Sequence, residues 1–112
     1  MGINIGLDIG AVSLKLAAIG APADAPMLHA LTTKNPGGFF PAVFPADSDL
    51  AGRPLALSRY RRIQGSPMQS TFDLLKDFYE HVPEENVEGI RVTGNCARID
   101  RPNPRSAISF RT

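Results

Sequence analysis

Two period-two runs set close together at the start of the chain constrain its fold more than any other feature. Ile3, Ile5 and Leu7 alternate with Asn4, Gly6 and Asp8. Such alternation describes a strand with one buried face. Ser13 to Ile19 repeats it, with Leu14, Leu16 and Ala18 on one face and Lys15 on the other. Gly10 allows a tight turn between the two. So short a connection joins antiparallel neighbours, because a parallel crossover needs roughly a dozen residues or more. The chain therefore opens with a β-hairpin, and its later elements must cover the hairpin's apolar face.

Gly20-Ala21-Pro22-Ala23-Asp24 reads as a turn. Met27 to Thr33 is expected to form a third strand or to prolong the hairpin, and Asn35-Pro36-Gly37-Gly38 breaks the pattern. Residues 34–53 then mix Pro, Gly, Asp and Ser around Phe39, Phe40, Val43 and Phe44. Disordered segments are poor in aromatics. This stretch is therefore expected to be an inserted loop that docks its aromatics onto a surface, one that the chain itself need not contain. Leu55 to Arg61 predicts a strand with Leu55, Leu57 and Arg59 on one face.

A turn at Gln64-Gly65 leads into Ser66-Pro67-Met68-Gln69. Ser at the N-cap, Pro at the first helical position and Gln two residues later form a helix-start signature with a capping box. Met68, Phe72, Leu75, Phe78 or Tyr79, and Val82 come next at helical spacing, and Pro83 ends the run. Ile90 to Thr93 is a short strand ending in Gly94. A helix and a strand after a hairpin give a mixed α/β layer. Residues 100–112 are polar, Pro-broken and basic, and are expected to be a disordered tail.

A chain of 112 residues has room for one domain. Its net charge of +1 makes no electrostatic case for nucleic acid or an anionic membrane as partner. Arg59, Arg61 and Arg62 around Tyr60 form one local basic cluster, which reads as a solvated strand edge. Cys96 is the only cysteine, so the chain can form no internal disulfide and no cluster site by itself. The N-terminus lacks a basic leader, and no apolar stretch is long enough to span a membrane. A cytoplasmic location is the simplest expectation. His29 and His81 lie far apart with no second ligand at metal spacing, and Glu84-Glu85 reads as a solvated turn.

The chemistry concentrates at Asp8-Ile9-Gly10-Ala11-Val12-Ser13-Leu14-Lys15. A carboxylate closes the first strand and faces a turn whose successive N–H groups can form a concave anion site. Asp8 can hold Mg²⁺ directly or through water. Ser13 can donate to a phosphate oxygen, and Lys15 supplies positive charge. Positioning and charge neutralisation are most of what phosphoryl transfer requires. The same residues also suit a plain hairpin, with Asp8 and Gly10 as turn formers.

Gly6-Leu7-Asp8-Ile9-Gly10 with Ser13-Leu14-Lys15-Leu16 resembles the first phosphate loop of the actin, sugar-kinase and heat-shock-chaperone ATPase superfamily. Tyr60-Arg61-Arg62-Ile63-Gln64-Gly65-Ser66-Pro67 and Gly89-Ile90-Arg91-Val92-Thr93-Gly94 come after it in order, with a helix between them. Together the three segments resemble the start of the CoA-substrate-specific enzyme activases (BadF/BadG/BcrA/BcrD type), which include activators of 2-hydroxyacyl-CoA dehydratases. The likeness covers residues 2–20 and about 54–98.

The resemblance implies an α/β fold, a partial actin-like or ribonuclease H-like half-domain of order β-β-β-α-β. That half-domain would span residues 1–99, with an insertion at about 34–53. It implies ATP with Mg²⁺ as ligand. Asp8 would organise the metal, the residues from Gly10 through Ala11 and Val12 to Ser13 would wrap the phosphates, and Lys15 would close the loop. In such family members ATP hydrolysis drives an electron from a shared iron–sulfur cluster into a partner enzyme.

Some of the pattern is missing. Ala11 and Val12 replace the family's usual hydroxyl residues, and Asn95-Cys96-Ala97 precede Arg98 where a glycine-containing turn is usual. The cluster cysteines, second phosphate loop and adenosine pocket of the family have no counterpart, and Cys96 matches no cluster position. The expectation is a phosphate-loop portion, inactive alone. Its partner would be a protein: the rest of the ATPase, a second copy, or a CoA-substrate enzyme. The competing expectation is a non-catalytic interaction module that binds through an open sheet edge or its aromatic loop.

Overall fold

The computed structural model describes residues 2–94. Expectations for Cys96 and for the tail at 100–112 lie outside the described residues. Within them, the opening hairpin is β1 (Ile3–Ile9) and β2 (Ser13–Ile19), antiparallel as expected, with Leu7 opposite Leu16 and Asp8 opposite Lys15. The remaining strands are β3 (Phe39–Ala42), β4 (Leu55–Ser58), β5 (Arg61–Arg62) and β6 (Val87–Gly94). The sheet order is β3-β4-β2-β1-β6, and β5 pairs with the start of β2. β6 runs parallel to β1 and every other pairing is antiparallel, so the sheet is mixed.

Two helices, α1 (Ala25–Lys34) and α2 (Pro67–Tyr79), share one continuous core with the sheet. Ile3, Ile5, Leu7 and Ile9 of β1 and Leu14, Leu16 and Ala18 of β2 supply its floor. Leu28 and Leu31 close it from α1, and Leu74, Leu75 and Phe78 close it from α2. All these sheet residues point to one side, because strand side chains alternate. The molecule is a two-layer α/β fold with both helices on the same face.

α1 occupies the stretch expected as a third strand. The buried residues there are Leu28, Leu31 and Thr32, spaced three and one apart, as in a helix. A strand would have paired Met27, His29, Leu31 and Thr33 on one face, and the helical phase leaves His29 and Thr33 in solvent. Pro26 in the first turn suits this start. The order is therefore β-β-α-β-β-β-α-β rather than β-β-β-α-β. Ahead of α1, Asp24 is buried, and its Oδ2 accepts from the N–H of Ala21 at 2.8 Å and of Gly2 at 3.3 Å. A side chain at Gly20 would place a Cβ 2.7 Å from that of Asp24, so the turn needs glycine there.

The aromatic stretch docks inside the chain itself. Phe39 is fully buried at the start of β3 and meets Phe78 of α2 edge-to-face, with centroids 6.1 Å apart. Phe40 lies half-buried, with the Arg59 guanidinium 5.1 Å from its ring centroid, and Val43 is exposed. In β4 the buried positions are Ala56 and Ser58, so Leu55 and Leu57 face away from the helices. Ser66 caps α2 as expected, its Oγ accepting from the N–H of Met68 at 3.1 Å and Gln69 at 3.3 Å. The box stays half closed, because the Gln69 amide donates to Asp73 instead. The buried stripe of α2 is Thr71, Leu74, Leu75 and Phe78, and Phe72 sits at its exposed margin. Thr71 can be buried because its hydroxyl donates to the Pro67 carbonyl at 2.8 Å.

Candidate phosphate site

Asp8 is the last outward position of β1, on the face that no described helix covers. The pairing places Lys15 of β2 on one side of it and Thr93 of β6 on the other. One step back along β1, Gly6 lies between Ala17 and Arg91. These residues border an open groove of about 350 Å³, floored by Gly6 and Ala17 and bounded by Asp8, Lys15, Arg91 and Thr93. The groove lies on the open face of the sheet, toward the carboxyl-terminal halves of the parallel pair β1 and β6.

The turn beyond Asp8 is held at both ends. Gly10 donates its N–H to the Ser13 carbonyl at 2.8 Å, and Ile63 donates to the Val12 carbonyl at 2.7 Å. Gly10 does not adopt a left-handed conformation. Its role is close approach, since a Cβ there would lie 3.3 Å from the Ser13 carbonyl oxygen. Ala11 and Val12 are exposed, and among the described residues no backbone carbonyl accepts from either N–H. Two free donors at the tip of a turn suit an anion. Ser13 is half-buried and alternates onto the face that carries Lys15.

Lys15 is positioned by a break in the neighbouring strand. β4 leaves β2 after Leu57 opposite Ala17, and β5 rejoins it at Arg61 opposite Leu14. In the gap the buried Ser58 Oγ takes the N–H of Leu16 at 2.7 Å. Arg59 and Tyr60 are left outside the ladder, and the Tyr60 ring, 70% exposed, lies 4.9 Å below the Lys15 ammonium. That cation–π contact is made on the β4–β5 side of β2, and strand alternation sets Lys15 on the open face.

Among the described residues the single ion pair joins Arg61 to Asp77, so Asp8, Lys15 and Arg91 carry none. No group of three metal-ligating side chains occurs among the described residues. One exposed, unpaired carboxylate suits Mg²⁺, which keeps most of its waters and takes the rest of its ligands from phosphates.

The hairpin thus brings Asp8, Ser13 and Lys15 onto one face with the turn Gly10, Ala11 and Val12 at its end. Gly6 belongs to the same segment, and Tyr60, Arg91 and Thr93 complete the surroundings and were not expected there. The alternation of Arg91 and Thr93 with Ile90 and Val92 is visible in the sequence, but not that β6 runs beside β1. Comparison with known protein families, with curated proteins and with solved structures found no match.

Proposed function

We propose that this chain carries the phosphate-binding half of an ATP-dependent activase-type domain, with Mg-ATP bound at the turn between β1 and β2. One observation carries the reading: the hairpin sets an unpaired carboxylate and a lysine side by side in one groove, next to a turn with two unbonded N–H donors. The order hairpin, strand, helix, strand also agrees with the resemblance, taking β1, β2, β4, α2 and β6 as its members. α1, β3 and β5 are additions to it.

In this reading Asp8 orients the hydrated Mg²⁺, and Lys15 neutralises phosphate charge. Ala11 and Val12 lack hydroxyls but keep their N–H groups, so the anion is held by backbone, with Ser13 as the side-chain donor. Mg²⁺ would be held through Asp8 and would supply charge neutralisation. One carboxylate and one lysine bind and orient, and the proposal for the chain alone is binding without turnover. No described residue is a cysteine, so the family's cluster chemistry is not part of the proposal.

A second reading rests on a different observation. Phe40, Leu57 and Ala17, and beside them Ala42, Leu55 and Ile19, form half-buried apolar rows across the uncovered face. An interaction module would use these rows or the edge of β6 to bind a protein. Of the aromatic stretch, Phe39 is buried in the chain's own core and Phe40 belongs to these rows.

Calorimetric titration of the chain with Mg-ATP tests the proposal. Saturable binding in the wild type that disappears in Asp8→Ala is the expected result. Binding of equal strength in both would remove Asp8 from the site, and no binding in either would leave the interaction reading.

A further inference from the structure

Of the described charged groups on the open face, Arg62, opposite Ser13, and Arg91 have no role so far, and of the two Arg91 lines the groove. Arg91 is exposed, it stands directly beside Gly6, and it has no ion-pair or hydrogen-bond partner among the described residues. Of the arginines in and between β4 and β5, Arg61 pairs with Asp77 and Arg59 donates to the Pro36 carbonyl while lying over Phe40, and Arg62, like Arg91, has no ion-pair or hydrogen-bond partner among the described residues.

The sheet sets Arg91 and Lys15 on opposite flanks of β1. Neighbouring strands lie about 4.8 Å apart, so the two backbones are separated by roughly 10 Å. Lys15 stands in the row of Asp8 and Arg91 in the next row, that of Gly6, and nothing lies within 4 Å of where a Cβ on Gly6 would stand. Two long cationic side chains therefore border a floor without a side chain, against the single carboxylate of Asp8. Two separated cations against one carboxylate suit an extended polyanion better than one phosphate group. A guanidinium can also grip phosphate oxygens through paired N–H donors, where an ammonium acts as a point charge.

We propose that Arg91 is the second cation of the phosphate site and makes it selective for a nucleoside polyphosphate over a monophosphate. The polyphosphate would lie across Gly6, with one end at the turn and Lys15 and the other against Arg91. Thr93, opposite Asp8, stands between the two ends of that path. This inference rests on the phosphate reading of the hairpin.

The test is calorimetric titration of the full 112-residue chain with Mg-ATP, Mg-ADP and AMP, in wild type, Arg91→Gln, Arg91→Lys and Asp8→Ala. Arg91 is exposed, so its variants should keep the fold, and a thermal melt of each confirms it. The expected result is a loss of about tenfold in Mg-ATP affinity in Arg91→Gln, as for one charge-assisted contact. Arg91→Lys should recover part of the loss, and the weaker binding of AMP should not change. Wild-type affinity for Mg-ATP in Arg91→Gln, with binding lost in Asp8→Ala, would overturn the role of Arg91 and leave the phosphate reading standing. An equal loss for AMP and Mg-ATP would overturn the selectivity. No binding by the wild type would overturn both.

Discussion

The two faces of β1 differ completely in what their residues do. Ile3, Ile5, Leu7 and Ile9 face the helices and are buried, and Asn4, Gly6 and Asp8 face the other way and are exposed. On the covered side every position is spoken for by packing. Phe39 meets Phe78, Ser58 takes an orphaned N–H, and Leu28 and Leu74 close over the hairpin. On the open side the same strands present Asp8, Lys15, Arg91 and Thr93 around a groove, none with an ion-pair partner among the described residues. A strand's period of two lets one segment serve both ends, with packing on one face and unpaired polar groups on the other.

That division can be broken experimentally. Its largest expected effect is at Phe78, fully buried between Phe39 and Tyr79. Phe78→Ala should cost about 3–5 kcal/mol in urea denaturation, a large share of what a domain this size possesses. Ser58→Ala comes next. It leaves the buried N–H of Leu16 without an acceptor, and a loss of about 1–3 kcal/mol is expected from the same measurement.

Tyr79 sharpens the picture of the covered layer through pH. Burial, with the charge of Glu84 second, raises its pKa from 10.0 to about 12. The folded state then favours the neutral phenol, so the stability it contributes is complete below about pH 10 and is lost as pH rises toward 12. Melting temperature should fall over that interval, and Tyr79→Phe should flatten part of the fall. The size will be modest because the ring is only half-buried. Smallest of all is Asp8→Ala, which should alter unfolding free energy by no more than about 0.5 kcal/mol. A cost as large as that of Ser58→Ala would mean Asp8 is a structural turn residue, and the contrast between the faces would fail.

The hairpin, α2 with its serine cap, and the existence of β6 are legible in the sequence because each rests on local periodicity or a local cap. α1 is not, because Met27 to Thr33 is short and mixed, so two periods fit it and only the burial of Leu28 and Leu31 decides. Phe39 escapes a sequence reading for the opposite reason. Its partner Phe78 lies far along the chain, and no local pattern reports that contact. The candidate site divides the same way. Asp8, Gly10, Ser13 and Lys15 come from one continuous segment, and their grouping arises from the turn. Arg91 and Tyr60 join them only through sheet order and a break between β4 and β5.

The measurement closest to the central claim is a thermal melt of wild type and Asp8→Ala with and without Mg-ATP. A ligand that binds only the folded state adds about 2.7 kcal/mol of stability at a hundred times its dissociation constant. Equal midpoints are expected for the two proteins without ligand, and a rise with Mg-ATP in the wild type alone. Cooperative melts that Mg-ATP leaves unmoved in both proteins would contradict a phosphate site at Asp8.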